Sequence, residues 1–144
     1  MYETILVPTD GSAGAAAAAE HATDLAETYG ATVHALYVAD VRMSPISADM
    51  DRDELRRLIE ESDETPTAPV LDRAERAGVP AVEAIRAGVP HEAILAYARE
   101  QDADLIAMGS HGHTGLEHAL LGSVAERVVR TSDVPVLTVR PDES

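Results

Sequence analysis

Lysine is absent from this chain. All 11 basic residues are arginine, set against 26 acidic ones, for a formal net charge of −15. A Walker-type phosphate loop needs Gly-Lys-Ser/Thr with an ammonium on the β- and γ-phosphates, so that mechanism is excluded. A nucleic-acid partner is excluded as well, because no basic face exists to neutralise a phosphate backbone. Cysteine is absent too, which removes disulfides, thiolate catalysis and sulfur metal ligands. Phe and Trp are missing, and the only aromatics are four Tyr. The core must then be built from Val, Leu, Ile and Ala, as in a buried parallel sheet covered by helices. No apolar run approaches the length of a membrane span. The first residues lack the apolar stretch of a secretory signal, since Glu3 comes at once. These absences predict a cytoplasmic, globular protein with neither membrane nor nucleic acid as partner.

What is present fits one domain: 144 residues, of which 45% are hydrophobic. The acidity carries its own expectation. Repulsion on this scale opposes folding at low ionic strength. At molar salt the Debye length shrinks to about 3 Å and the repulsion is screened. An acidic, Lys-free chain with few aromatics is expected from a halophile.

Along the chain, apolar runs alternate with helical patterns. Thr4 to Val7 reads as a buried strand bounded by Pro8, followed by a turn at Thr9 to Ser12 with Ser12 as N-cap. Ala13 to Tyr29 is alanine-rich and helical, and Gly30 stops it. Thr32 to Val38 is the second strand. Residues 42–50 form a loop, and a helix begins at Asp51 and Glu54. Residues 60–64 are an acidic, solvated run, and Pro66 and Pro69 break or kink the pattern. The region 42–69 is the variable middle of the domain. Val70 to Ala77 is a helix closed by Gly78. Ala81 to Ala87 carries two charges and suits an edge strand. Pro90 opens the next helix, with Ile94, Leu95, Tyr97 and Ala98 as its apolar stripe. Leu105 to Met108 is a fully apolar strand. The last helix has Val124, Val128 and Val129 on its buried face, and Val134 to Val139 is the last strand. This alternation predicts an α/β fold, a doubly wound parallel sheet with helices on both faces. Such sheets bind ligands at the carboxyl ends of the strands where strand order reverses. If strand 1 lies beside strand 4, Pro8, Thr9 and Asp10 meet Gly109 to Gly112 at that crevice.

The spacing Gly109-x2-Gly112-x9-Gly122-Ser123 reads as two backbone turns facing one ligand. Glycine lets peptide N–H groups approach an anion with no Cβ in the way. A helix starting at about Ser123 adds its N-terminal N–H groups and its positive dipole end. A second reading stays open on spacing alone. Ser123 and Glu126 form a capping box, as do Thr114 and Glu117, so the stretch also fits a glycine-rich loop that ends in a well-capped helix. His111 and His113 form an H-x-H pair, but structural zinc takes four ligands and no Cys is available. They read as solvent-exposed loop histidines. His21, His34, His91 and His118 lie in separate elements and carry no assigned role.

With these residues in place, the chain resembles the universal stress protein family over nearly its whole length. The matching pieces are Ile5 to Ser12, Leu36 to Val38, Leu105 to Gly112, Leu121 to Val124 and Ser132 to Val139. Gly109-x2-Gly112-x9-Gly122-Ser123 matches the G-x2-G-x9-G-[S/T] signature of the ATP-binding branch without departure. The resemblance implies a Rossmann-like, five-stranded sheet in order 3-2-1-4-5, of the adenine nucleotide alpha hydrolase-like type. It also implies a homodimer through the last strand, Val136 to Val139, which would otherwise be an uncharged exposed edge. ATP or AMP is implied at the switch point, with Mg²⁺ carried on the phosphates. Carried over residue by residue, Asp10 would bond the ribose region. Pro8, Thr9, Val38 and Met108 would line the adenine side. Gly109, His111, Gly112, Gly122, Ser123 and Val124 would hold the phosphates. Residue by residue the plainer roles stay open: Asp10 as a cap of the first helix, Val38 and Met108 as core.

Without lysine, phosphate charge must be met by backbone N–H groups, a helix dipole and a metal ion. Arg127 and Arg130 fall one and two turns past Ser123, and neither is a clear phosphate ligand. No general base stands out beside the phosphates, so hydrolysis is expected to be slow or absent. The expectation is nucleotide binding in a stress-response regulator. The alternatives are a weak ATPase or nucleotidyl-transfer enzyme using His111 or His113, and a nucleotide-free dimeric scaffold. A phosphoacceptor receiver domain would need a Lys after strand 5 and an Asp ending strand 3, and the chain has neither.

Overall fold

The computed structural model describes residues 2–10, 13–40, 54, 57, 66–110 and 122–140. Ser12, the residues that open the helix expected from Asp51, and both histidines of the H-x-H lie outside the described residues, as does most of 42–69. Glu54 and Arg57 are helical.

Five parallel strands form one sheet in the order β3-β2-β1-β4-β5. They are β1 (Thr4–Pro8), β2 (Thr32–Asp40), β3 (Ala81–Gly88), β4 (Leu105–Gly109) and β5 (Val136–Val139). Among the described residues, four helices with both ends placed connect them: α1 (Ala13–Tyr29), α2 (Ala68–Ala77), α3 (Pro90–Glu100) and α4 (Ser123–Thr131). This is the expected α/β architecture, with the charged strand β3 at one edge and β5 at the other.

The period of two along each strand sorts the core into two layers. Ile5 and Val7, Val33 and Ala35, and Leu105 and Ala107 face one side, where Ala19, Ala22 and Ala26 of α1 meet Val70 and Ala74 of α2. Leu6, Leu36, Ile106 and Met108 face the other, against Ile94, Tyr97 and Ala98 of α3 and Ala125 and Val128 of α4. Alanine dominates the buried stripe of α1, so this helix lies close on the sheet. Helix capping follows residue type where glycine is concerned. Gly30 and Gly78 take φ of 71° and 72°, the left-handed region in which a Cβ is strained. Asp104 ties the amino ends of β1 and β4 together, its Oδ2 accepting the N–H groups of Glu3 at 2.8 Å and Thr4 at 3.0 Å.

Four local expectations are corrected. Pro69 does not break α2; it lies in the first turn, where a missing N–H removes no helical bond. β2 runs past Val38 to Asp40, because Ala39 and Asp40 pair with Ala87 and Gly88 of β3. β5 begins at Val136, after Pro135, rather than at Val134. In α4 the buried residues are Ala125 and Val128, while Val129 is 45% exposed; one step along a helix turns a side chain by about 100°, enough to carry it off the sheet face.

Candidate nucleotide site

β1 is the strand from which the chain winds in both directions. Its pairing with β2 continues to Pro8 against Leu36. Its pairing with β4 covers only Ile5 with Leu105 and Leu6 with Ile106. The two neighbours therefore part toward their carboxyl ends, at the point where the strand order reverses. Pro8, Thr9 and Asp10 leave β1 on one wall of this opening, and Gly109 and Ser110 leave β4 on the other.

Gly109 is the narrowest point. A Cβ built there would stand 2.7 Å from the carbonyl carbon of Gly14 and 3.0 Å from the backbone nitrogen of Ala15. The first turn of α1 thus lies directly against the end of β4. Only a residue without a side chain fits at 109.

Ser110 comes next and is 2% exposed. Its N–H donates to the carbonyl of Val139 at 2.9 Å, extending the β4–β5 ladder by a step. Its carbonyl accepts the N–H of Gly122 at 2.7 Å. Residue 122 is thereby brought back to the carboxyl end of β4, and α4 starts there. Gly122, not Ser123, is the N-cap of α4, with extended φ and ψ of −63° and 158°. Ser123 is the first helical residue, so the capping box that the spacing also allowed does not form, and among the described residues no side chain caps the helix. Gly122 presents only backbone at the position where an anion would otherwise compete with a capping oxygen. Glu126 bonds forward to Arg130 one turn on, away from this end.

The apolar members of the predicted site also converge. Val38 at the end of β2, Met108 at the end of β4 and Val124 in the first turn of α4 all pack in the layer that holds Leu36 and Ile106. Met108 is buried and Val38 half-buried. Thr9 is buried, its N–H donating to the Leu36 carbonyl at 2.8 Å and its hydroxyl to the Pro66 carbonyl at 3.0 Å. Asp10 is half-buried at the mouth. Of the eleven predicted site residues, Pro8, Thr9, Asp10, Val38, Met108, Gly109, Gly122, Ser123 and Val124 thus lie around one end of the sheet, while His111 and Gly112 lie outside the described residues. Ser110 and Gly14 escaped the sequence reading. Gly14 had a signal, being a glycine inside an alanine run, where it lowers helix stability by about 1 kcal/mol unless close packing requires it.

Two other features lie elsewhere. A cavity of about 470 Å³ opens at the amino end of β4, bordered by Arg99, Asp104 and Asp133, opposite the crevice. Within the α3 layer, His34 of β2 and Tyr97 are hydrogen-bonded through Nδ1 and the phenolic oxygen at 2.7 Å. Arg86 of β3 lies over the Tyr97 ring, 5.1 Å from its centroid. Burial pulls the His34 imidazole below its ordinary range and pushes the Tyr97 phenol up.

Comparison with known proteins agrees with this geometry. The family model described as "Universal stress protein family" matches residues 1–140. Universal stress protein MJ0531 of Methanocaldococcus jannaschii is 41% identical over 143 residues, 97% of this chain and 83% of that protein. The solved structure of MJ0577 superposes with a TM-score of 0.83 at 35% identity, covering 100% of this chain and 99% of that one. A universal stress protein solved in complex with cAMP gives a TM-score of 0.69 at 29% identity, with 98% of each chain covered. The fold, the matched span and the level of identity place the chain in the universal stress protein family.

Proposed function

We propose that this chain binds ATP or AMP at the carboxyl ends of β1 and β4 and acts as a nucleotide-dependent stress-response regulator. The observation that carries the reading is the 2.7 Å bond from the Gly122 N–H to the Ser110 carbonyl, which sets the uncapped start of α4 at the end of β4. A phosphate chain there meets backbone donors and the positive end of a helix dipole, which do not depend on lysine. Gly109, His111, Gly112, Gly122, Ser123 and Val124 hold the phosphates in this reading. Pro8, Thr9, Val38 and Met108 flank the adenine, and Asp10 takes the ribose. Mg²⁺ rides on the phosphates and supplies the remaining positive charge. The cAMP complex of a relative supports an adenine nucleotide as the ligand class. Glu126, the carboxylate in the first turn of α4, pairs with Arg130 one turn on, which favours binding over turnover.

The second part of the reading is a homodimer through β5. The Ile106 N–H bonds to the carbonyl of Pro135, and the Ser110 N–H bonds to that of Val139. In a parallel ladder such bonds recur at every second residue, so 135, 137 and 139 face β4. The backbone groups of Val136 and Thr138 then face outward, ready to pair with a second copy. The third part is origin in a salt-rich cytoplasm, which the charge of −15 supports.

Titration calorimetry with Mg-ATP in molar KCl tests the binding claim. Saturable one-to-one binding per chain, lost in Gly122→Val, is the expected result. A folded wild-type protein that takes up no nucleotide overturns it and leaves the dimeric scaffold as the better reading.

A further inference from the structure

Thr67 occupies the N-cap of α2, yet its hydroxyl does not cap the helix. It donates to the Glu83 carboxylate on β3 instead. Thr67 is only 1% exposed, so its end of this bond is shielded from water, while Glu83 is half-buried. The first turn of α2 is closed by backbone alone, with the N–H groups of Val70 and Leu71 both reaching the Thr67 carbonyl. A local cap would stabilise α2 on its own. What the longer bond adds is a fixed separation between the start of α2 and β3, made with a charged acceptor and therefore stronger than a neutral pair.

The residue just before it, Pro66, accepts the hydroxyl of Thr9 at 3.0 Å. A continuous path therefore runs from Glu83 in edge strand β3, through Thr67 and Pro66, to Thr9 at the end of β1. It crosses above β2. Glu83 is in register with Ala35, and Ala35 with Val7. Alanine at 35 leaves room over the sheet for the crossing.

We infer that Thr67 and Glu83 are positioning residues for the adenine side of the nucleotide site, acting through Pro66 on Thr9. This rests on the binding function proposed above. The Thr9 hydroxyl is held by protein rather than offered to ligand. Its fixed rotamer sets the direction in which the chain leaves β1 through Pro8 and Asp10. Glu83 and Thr67 do not touch the ligand; they determine where the wall it packs against stands.

The test measures ATP and GTP affinities by titration in the full chain, for wild type, Thr67→Val, Thr67→Ser and Glu83→Gln. Thr67→Val removes one shielded hydrogen bond and should weaken ATP binding by about fivefold to tenfold. GTP should weaken less, so the ATP:GTP ratio falls. Thr67→Ser keeps the hydroxyl and should restore both values, and Glu83→Gln should fall between. Adding Thr67→Val to Thr9→Val should cause little further loss, because both break one path. Equal weakening of ATP and GTP would reduce Thr67 to a stability role and overturn the inference. So would unchanged ATP affinity in Thr67→Val. If Thr67→Val does not fold, Glu83→Gln carries the same comparison at a half-buried site. Absence of ATP binding in wild type would instead remove the underlying function, a result distinct from either.

Discussion

Gly14 and Gly109 touch backbone to backbone: a Cβ on Gly109 would lie 2.9 Å from the Gly14 Cα and closer still to its carbonyl carbon. The obstacle is main chain, which cannot swing aside as a flexible side chain does. Gly109→Ala should therefore destabilise the fold by roughly 1–3 kcal/mol, the range for inserting a methyl into a packed site. Gly88→Ala is the control. Its Cβ would meet only the Ala93 Cβ at 3.7 Å, an ordinary contact. Chemical denaturation of the two variants should show a fall in midpoint for the first and almost none for the second.

Asp104 accepts two backbone N–H groups with one oxygen at the amino end of the sheet. Asp104→Ala leaves both donors of the β1 start without this partner and should reduce stability by about 1–3 kcal/mol. Asp104→Asn keeps an acceptor and should lose less. Because this residue is at the far end of the strands from Gly109, nucleotide affinity should stay at the wild-type value in both, which calorimetry can check.

His34 is buried beside Tyr97, and desolvation lowers its pKa from the ordinary 6.5. Tyr97 from α3 faces it, with Arg86 of β3 over the tyrosine ring and Glu100 of α3 contributing charge nearby. The neutral imidazole is the folded form, so the unfolded chain takes up the proton first as pH falls. Stability from this residue is fully present above 6.5 and is lost as pH drops below 6.5 toward the lowered folded value. The carboxylates titrate too, so the readout is a difference. Wild type minus His34→Gln, followed by thermal melting between pH 7.5 and 5, should show a pH-dependent gap that narrows on acidification.

Thr138→Pro tests the dimer. It removes an N–H that the ladder geometry directs away from β4, so the sheet within one chain should survive. Sedimentation should show monomers for the variant and dimers for wild type, with little change in far-UV circular dichroism. A wild-type protein that sediments as a monomer would refute the dimer directly.

Salt should act on the whole chain. With a net charge of −15, the melting temperature should rise steadily with KCl from millimolar to molar, as screening shortens the Debye length from about 30 Å to 3 Å. Sucrose at matched osmolality should give a smaller rise. Equal effects would mean that charge repulsion is not what limits stability.

Helix and strand order were readable from residue pattern because the signals repeat. The alanine run of α1, the glycines at 30 and 78 and the unbroken apolar run of β4 each point one way, and each element formed where expected. Single-residue signals failed where two local solutions compete. Ser123 and Glu126 have the spacing of a capping box, but the bond from Gly122 to Ser110 sets the helix start a residue earlier. Pro69 breaks a helix interior yet suits a first turn, and only the position of Thr67 decides which applies. The meeting of Gly109 and Gly122 at one end of the sheet was legible because glycine spacing records backbone approach. Its supports were not. The contacts of Gly109 with Gly14, and of Thr67 with Glu83, join residues far apart in sequence and follow no period.

The bond between Ser110 and Gly122 also bears on how this family can diversify. It holds residues 110 and 122 together at the carboxyl end of β4, so that whatever lies between them is tethered at fixed points. Closing a tethered segment becomes harder only slowly as it lengthens, by about 0.6 kcal/mol per doubling. Insertions and replacements between 111 and 121 can then be tried with small effect on the fold beneath. Variation in the tethered segment and stability of the sheet that holds its ends become separable traits.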